Sequence, residues 1–272
     1  MMRNWKKCIC LIGVGIGSSS MYINKNDILP ITDHKEVTKN IAFYPVSIND
    51  QTQRFFSTSQ NVQKRNEEKV LLQHVPFIRQ APELDRGCEV TSLAMMLQYA
   101  GVTVDKMTLA EEIPKIPFLH NGLRGNPNEG FVGNIYTFSE PGYGVYHKPL
   151  FQLATKYLPN QVVDLTGENI TEIYERIRAG NPVVMITNAT YAPLDADEFR
   201  IWKTKTGNVS ITYNEHCVLL VGYDKESVYI HDPLSNQPSI RVSRKNFEQA
   251  WVQMGSQAIS MNEKRYERET TW

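Results

Sequence analysis

The distribution of apolar residues divides this chain into a polar N-terminal part, a helical middle and a strand-rich end. Residues 21–69 carry stretches such as NKNDILPITDHKEVTKN and SINDQTQRFFSTSQNVQKRNEEK, where Asn, Gln, Thr, Ser and Lys dominate and apolar periodicity is poor. Such a segment cannot bury enough apolar surface to order itself and is expected to act as a tether. The character changes at Val70. VLLQHVPFIRQ reads as a strand entering a turn at Ala81-Pro82-Glu83. In the following GCEVTSLAMMLQYAG, Val90, Leu93, Ala94, Leu97 and Ala100 recur at three- and four-residue spacing, one face of a helix that Gly101 terminates. Cys88 therefore lies at or just before the first turn of that helix. A second helix is expected over Thr108–Ile113, long Gly/Pro/Asn-rich loops over Pro114–Pro149, and an amphipathic helix over Ile170–Ala179, closed by Gly180-Asn181-Pro182.

The last third switches to short runs rich in β-branched and aromatic residues: VVMIT, FRIWKT, VSITY, CVLLVGYD and SVYIHDP. One further helix is expected over Phe247–Val252. Helices first and a mostly antiparallel sheet second is an α+β arrangement. The pattern places one domain over 70–258 and a C-terminal tail over 259–272.

Composition adds one exclusion. Lys+Arg and Asp+Glu both number 29, so the 272-residue chain is formally neutral. That excludes a nucleic-acid binder working through a broad basic surface. The first twenty residues add a location. Arg3, Lys6 and Lys7 precede the uncharged run CICLIGVGIG and then three serines, the order of an export signal or N-terminal anchor. The run is shorter than the roughly 20 residues of a comfortable membrane span. The expectation is a protein that is secreted or held on the outer face of the membrane, with any membrane attachment confined to this segment. Cys8 and Cys10 belong to it, which leaves Cys88 and Cys217 for the domain.

A thiol attacks a carbonyl as thiolate, and a helix N-terminus and a neighbouring imidazolium both favour that form. Cys88 has the first by position, and Gly87 before it adds no side chain to obstruct a substrate. His216 opens the run HCVLLVGYD, which suits a central strand, and a hairpin over Asp224–Ser227 returns the chain along SVYIHDP. If that connection has three residues or carries a bulge, Val218 lies opposite Asp232, and His216 and Asp232 share one face of the sheet as diagonal neighbours ~7–8 Å apart at the backbone. A two-residue register without a bulge separates them. By alternation His231 faces away from Asp232, and Cys217 away from His216. Both are assigned to structure. The histidines at 34, 74, 120 and 147 follow no metal-ligand spacing, so a zinc site on Cys88, His216 and Asp232 is set aside and no cofactor is expected. The glycines at 122–133 and 142–144 match no phosphate-binding pattern.

The stretch VPFIRQAPELDRGCEVTSLAMMLQYAG, followed in order by RAGNPVVMITNATY, EHCVLLVGYD and VYIHDP, resembles the peptidase C thirty-nine-like family, papain-like cysteine peptidases related to the bacteriocin-processing double-glycine peptidases. The likeness is to their stand-alone secreted branch and spans about Val70 to Met254. It implies a papain-like fold, with a nucleophile-bearing helix packed on an antiparallel sheet. It also implies Cys88 as nucleophile, His216 as base, Asp232 as the acid orienting the histidine, and Gln80 as an oxyanion-hole donor. The activity implied is hydrolysis of peptide or protein substrates through a thioester. Three other readings share these residues: an endopeptidase cutting peptidoglycan stem peptides, an acyl transferase of transglutaminase type, and a catalytically inactive binding domain at the cell surface.

Overall fold

The computed structural model describes residues 69–262. The expected export segment and almost all of the tether lie outside the described residues. In chain order the elements are strand β1 (Val70–Leu71), helices α1 (Cys88–Tyr99) and α2 (Lys106–Glu112), and four two-residue strands, β2 (Lys115–Ile116), β3 (Leu119–His120), β4 (Leu123–Arg124) and β5 (Phe131–Val132). Helix α3 (His147–Tyr157), β6 (Val162–Asp164), α4 (Ile170–Arg178) and β7 (Val183–Asn188) follow. The last part holds β8 (Arg200–Thr204), β9 (Gly207–Ile211), β10 (Glu215–Tyr223), β11 (Ser227–His231), β12 (Ile240–Ser243), α5 (Arg244–Gln253) and β13 (Ala258–Met261). This is the α+β fold expected. Helix α3, and the strands inside the segment read as long loops, are additions. Helix α3 begins HKPLF, and its four buried residues (Pro149, Leu150, Leu153 and Ala154) span too few turns to stand out as a periodic face.

One sheet organises the molecule. Its strands run β12-β11-β10-β7-β13-β6, with β1 added on β10, and every pairing is antiparallel. β13 closes the sheet between β7 and β6, so the ordered domain includes Ile259, Ser260 and Met261, three residues beyond the boundary expected at 258. Strands β7 and β10 lie at its centre and are buried almost throughout, which is why they read as continuous apolar runs without alternation. Alternate residues feed two cores. Cys217, Leu219 and Val221 meet Val90, Leu93, Met96 and Leu97 of α1 on one face, while Val218 and Leu220 meet Ile173 and Ile177 of α4 and Phe247 and Trp251 of α5 on the other.

Helix α1 is buried on all sides over Cys88–Leu97. Each of its fully buried large side chains contributes about 1.5–3 kcal/mol by leaving water, so packing, not propensity, holds this helix against the sheet. Its end follows the sequence: Gly101 has φ +88°, and the amides of Gly101 and Val102 donate to Gln98 O and Leu97 O. Helices α2 and α4 start on side-chain caps, Asp105 accepting from Thr108 N, and Asn169 from Thr171 N and Glu172 N.

Candidate active site

Cys88 is the first residue of α1, after Gly87 at the cap position. A side chain at 87 is barred by contact, since a Cβ there would lie 2.5 Å from Leu84 Cβ. Cys88 is free and buried, as is Cys217.

The partner residues depend on the β10–β11 hairpin. Nearest the turn, Tyr223 pairs with Val228 and Gly222 with Tyr229. Beyond Val221 the register changes, with Leu220 opposite Ile230 and Leu219 opposite His231. Val221 is the extra residue of a bulge, and the shifted register, carried one step further, sets Val218 opposite Asp232. The tight turn alone would have set Leu219 there and put the imidazole and carboxylate on opposite faces. With the bulge, His216 Nε2 lies 2.7 Å from Asp232 Oδ1, both side chains buried. Nε2–H donates to the carboxylate, so in the neutral ring Nδ1 is the nitrogen with the free lone pair.

Asp232 is held from three directions. Oδ1 also accepts from Leu234 N at 2.8 Å, and Oδ2 accepts from the Tyr191 hydroxyl at 2.7 Å. Burial acts to raise its pKa, but the hydrogen bonds from His216, Tyr191 and Leu234 outweigh it and hold the carboxyl below its ordinary value. The phenol of Tyr191 is pushed the other way, upward, by burial and by the carboxylate it donates to. Tyr191 has φ +53° at the tip of a turn after β7, braced by Asn188 Oδ1 accepting from Thr190 N and by Tyr191 N donating to Asn188 O. His231 packs edge-on against Phe77 and hydrogen-bonds Val75 O and Ser239 N, so it serves structure.

The sulfur has company that the sequence reading did not anticipate. Cys88 Sγ donates to Glu89 Oε2 at 3.3 Å, the Cys217 backbone N–H also faces it, and no hydrogen bond joins it to His216 among the described residues. Cys88 Sγ and one oxygen each of Glu89 and Glu215 lie within 4.8 Å of one another. Glu89 Oε1 accepts from Val145 N, and Gly144 makes room for both acids: a Cβ there would lie 2.5 Å from Glu89 Oε1 and 2.8 Å from Glu215 Oε2. Burial raises the pKa of Glu89, partly offset by the Val145 hydrogen bond. Burial and then the charge of Glu89 push Glu215 well above its ordinary value. Burial first, then these two carboxylates, push the Cys88 thiol up as well. In this arrangement the sulfur rests as neutral thiol. A signal for the pair was present in the sequence, because an acidic residue adjoins each predicted site residue, in Cys88-Glu89 and Glu215-His216.

Gln80 is buried and tied to the segment after Asp232 by its backbone N–H on Pro233 O. Its side-chain amide donates to Leu84 O and Asp85 O, carbonyls of the turn leading to Cys88. The structure thus gives Gln80 a loop-bracing geometry just ahead of helix α1.

Among known proteins, the chain is 48% identical over 180 residues to the uncharacterized protein YvpB of Bacillus subtilis (strain 168), covering 66% of this chain and 70% of that one. A crystal structure from Bacillus anthracis, described as that of a candidate C39-like peptidase, aligns with a TM-score of 0.71 and 72% identity over 72% of this chain and 98% of its own. The model of the Peptidase_C39 like family matches residues 72–259. That span begins ahead of Cys88 and runs into β13, taking in helix α1, the bulged hairpin and the carboxylate pair, and the chain belongs to that family.

Proposed function

We propose that this protein is a cysteine peptidase acting outside the membrane, with Cys88 as nucleophile, His216 as base and Asp232 as the group that orients the imidazole. The observation that carries the reading is the buried His216–Asp232 pair at 2.7 Å, delivered by the bulge, in a domain whose first long helix opens on a buried free thiol at Cys88. Asp232 fixes the tautomer with the proton on Nε2, so Nδ1 accepts the thiol proton. For that transfer the sulfur must leave Glu89 Oε2, which it faces in this structure, for the imidazole. The thiolate bonds to the substrate carbonyl carbon, the tetrahedral adduct collapses with cleavage of the C–N bond, and His216 returns its proton to the leaving amine. His216 then deprotonates water, which attacks the thioester, and the acid product leaves as the thiol re-forms. The backbone N–H of Cys88 is one donor for the developing oxyanion, and the Gln80 amide is the second if it turns from the Leu84 and Asp85 carbonyls. No step calls for a metal or an organic cofactor.

The test is mass-spectrometric profiling of peptides cut from a mixed library by wild type and by Cys88→Ala. New termini with wild type and essentially none with Cys88→Ala are expected. Equal cleavage by both proteins would remove Cys88 from the mechanism. Products confined to peptidoglycan stem peptides would narrow the substrate class, and failure of both cleavage and thiol-probe labelling would make this a binding domain.

A further inference from the structure

We propose that Cys88 Sγ, Glu89 and Glu215 form a binding site for one zinc ion, which withdraws the nucleophile when bound. The binding stands on the cluster alone, and only its inhibitory consequence rests on the peptidase reading.

Three ligand atoms of suitable type already converge. The Cys88 Sγ to Glu89 Oε2 separation of 3.3 Å, combined with Zn–S and Zn–O bonds of about 2.3 and 2.0 Å, gives an S–Zn–O angle of about 100°, close to tetrahedral. Glu215 supplies the third ligand atom, an oxygen within 4.8 Å of both. Val145 N fixes Glu89 through the oxygen not facing the sulfur, so its free oxygen is already aimed. Three protein ligands leave a fourth position for water, and one thiolate with two carboxylates suits a borderline-soft ion better than calcium or magnesium.

Independent of the clustering, Glu215 Oε1 is buried with no hydrogen-bond partner. Unpaired buried acceptors are costly and uncommon. Among the described residues no lysine or arginine forms an ion pair with Glu89 or Glu215. A divalent cation supplies both the missing partner and the missing charge. On binding, the thiol gives its proton to solvent and a sulfur–zinc bond replaces the sulfur–hydrogen bond, so a bound ion removes the electron pair that would attack a carbonyl.

The experiment uses the full chain with Cys8→Ser and Cys10→Ser, so that any thiolate signal comes from Cys88 or Cys217. Titration with Zn²⁺ should show one saturable equivalent, and Co²⁺ should produce a sulfur-to-metal charge-transfer band that is missing in Cys88→Ala. Glu215→Gln and Glu89→Gln should each weaken zinc affinity by at least about tenfold, and folding of every variant is checked by circular dichroism. In the parent protein, with no site variant needed, one equivalent of Zn²⁺ but not Mg²⁺ should slow alkylation of Cys88, read by peptide mapping. The proposal is overturned by absence of saturable one-to-one binding, by a cobalt–thiolate band that survives Cys88→Ala, by unchanged affinity in the folded Glu215→Gln protein, or by alkylation indifferent to zinc. Hydrolysis is not a readout, so loss of the peptidase reading would leave these results interpretable.

Discussion

Removing the Tyr191 hydroxyl should weaken the site through Asp232. The hydroxyl donates to Asp232 Oδ2 at 2.7 Å, inside a pocket where Asp232 is only 8% exposed. A hydrogen bond to a charged group contributes about 1.5–3 kcal/mol, and water can replace only part of it in Tyr191→Phe. A loss of stability of about 1–2 kcal/mol at neutral pH is expected, with each kcal/mol worth about 2–4 °C in Tm for a domain of this size. The sign with pH follows from Asp232. Its folded pKa is depressed, so its stabilisation is fully present above the unfolded value of about 3.9 and fades as pH falls through the lower folded value. The difference between Tyr191→Phe and wild type should therefore hold from pH 7 to about pH 4 and shrink as pH falls further. Thermal melts across that range supply the stability arm, and kcat/KM on a cleaved peptide supplies the functional one, with a loss of about tenfold expected. Made in an Asp232→Asn background, the same change should cost much less. A penalty that is independent of pH and additive with Asp232→Asn would show that the phenol acts by filling space, and the positioning argument would fail.

Other outcomes are equally specific. Gly222→Ala places a Cβ 2.5 Å from Val70 O; the clash is with backbone, so β1 must shift, at an expected cost of about 1–3 kcal/mol in urea unfolding. His231 is held neutral because burial lowers its pKa, and its Nδ1 accepts from Ser239 N. Stability should accordingly be intact above about pH 6.5 and fall as pH drops below the unfolded value, and melts of His231→Gln should show a flatter slope between pH 7 and 5. Asn169→Ala removes the acceptor for two amides at the start of α4 and should cost about 0.5–2 kcal/mol by the same denaturation measurement.

The sequence by itself determined the helix behind Cys88, the amphipathic α4 and the long apolar strand opening at His216, because each carries its own periodicity and stop signals over enough residues to be read locally. It also supplied the residue types of the site, in an order resembling a known family. It left β6, β13 and α3 unread: the strands are short and packed from several sides, and α3 shows too brief an apolar face. Whether His216 could meet Asp232 turned on a parity, and one extra residue at Val221 decided it. Gly222, next to that bulge, is the one local mark of it; its place in the register shows only in the paired strands. Likewise Glu89 and Glu215 stand 126 positions apart and drew no reading from the sequence; only tertiary packing over Gly144 brought them beside the sulfur. Tyr191 reached Asp232 by the same route, through a turn whose positive φ the sequence did not announce. Local periodicity fixes elements, whereas burial, register and charge environment arise from contacts between distant segments, and there the chemistry of this site is set.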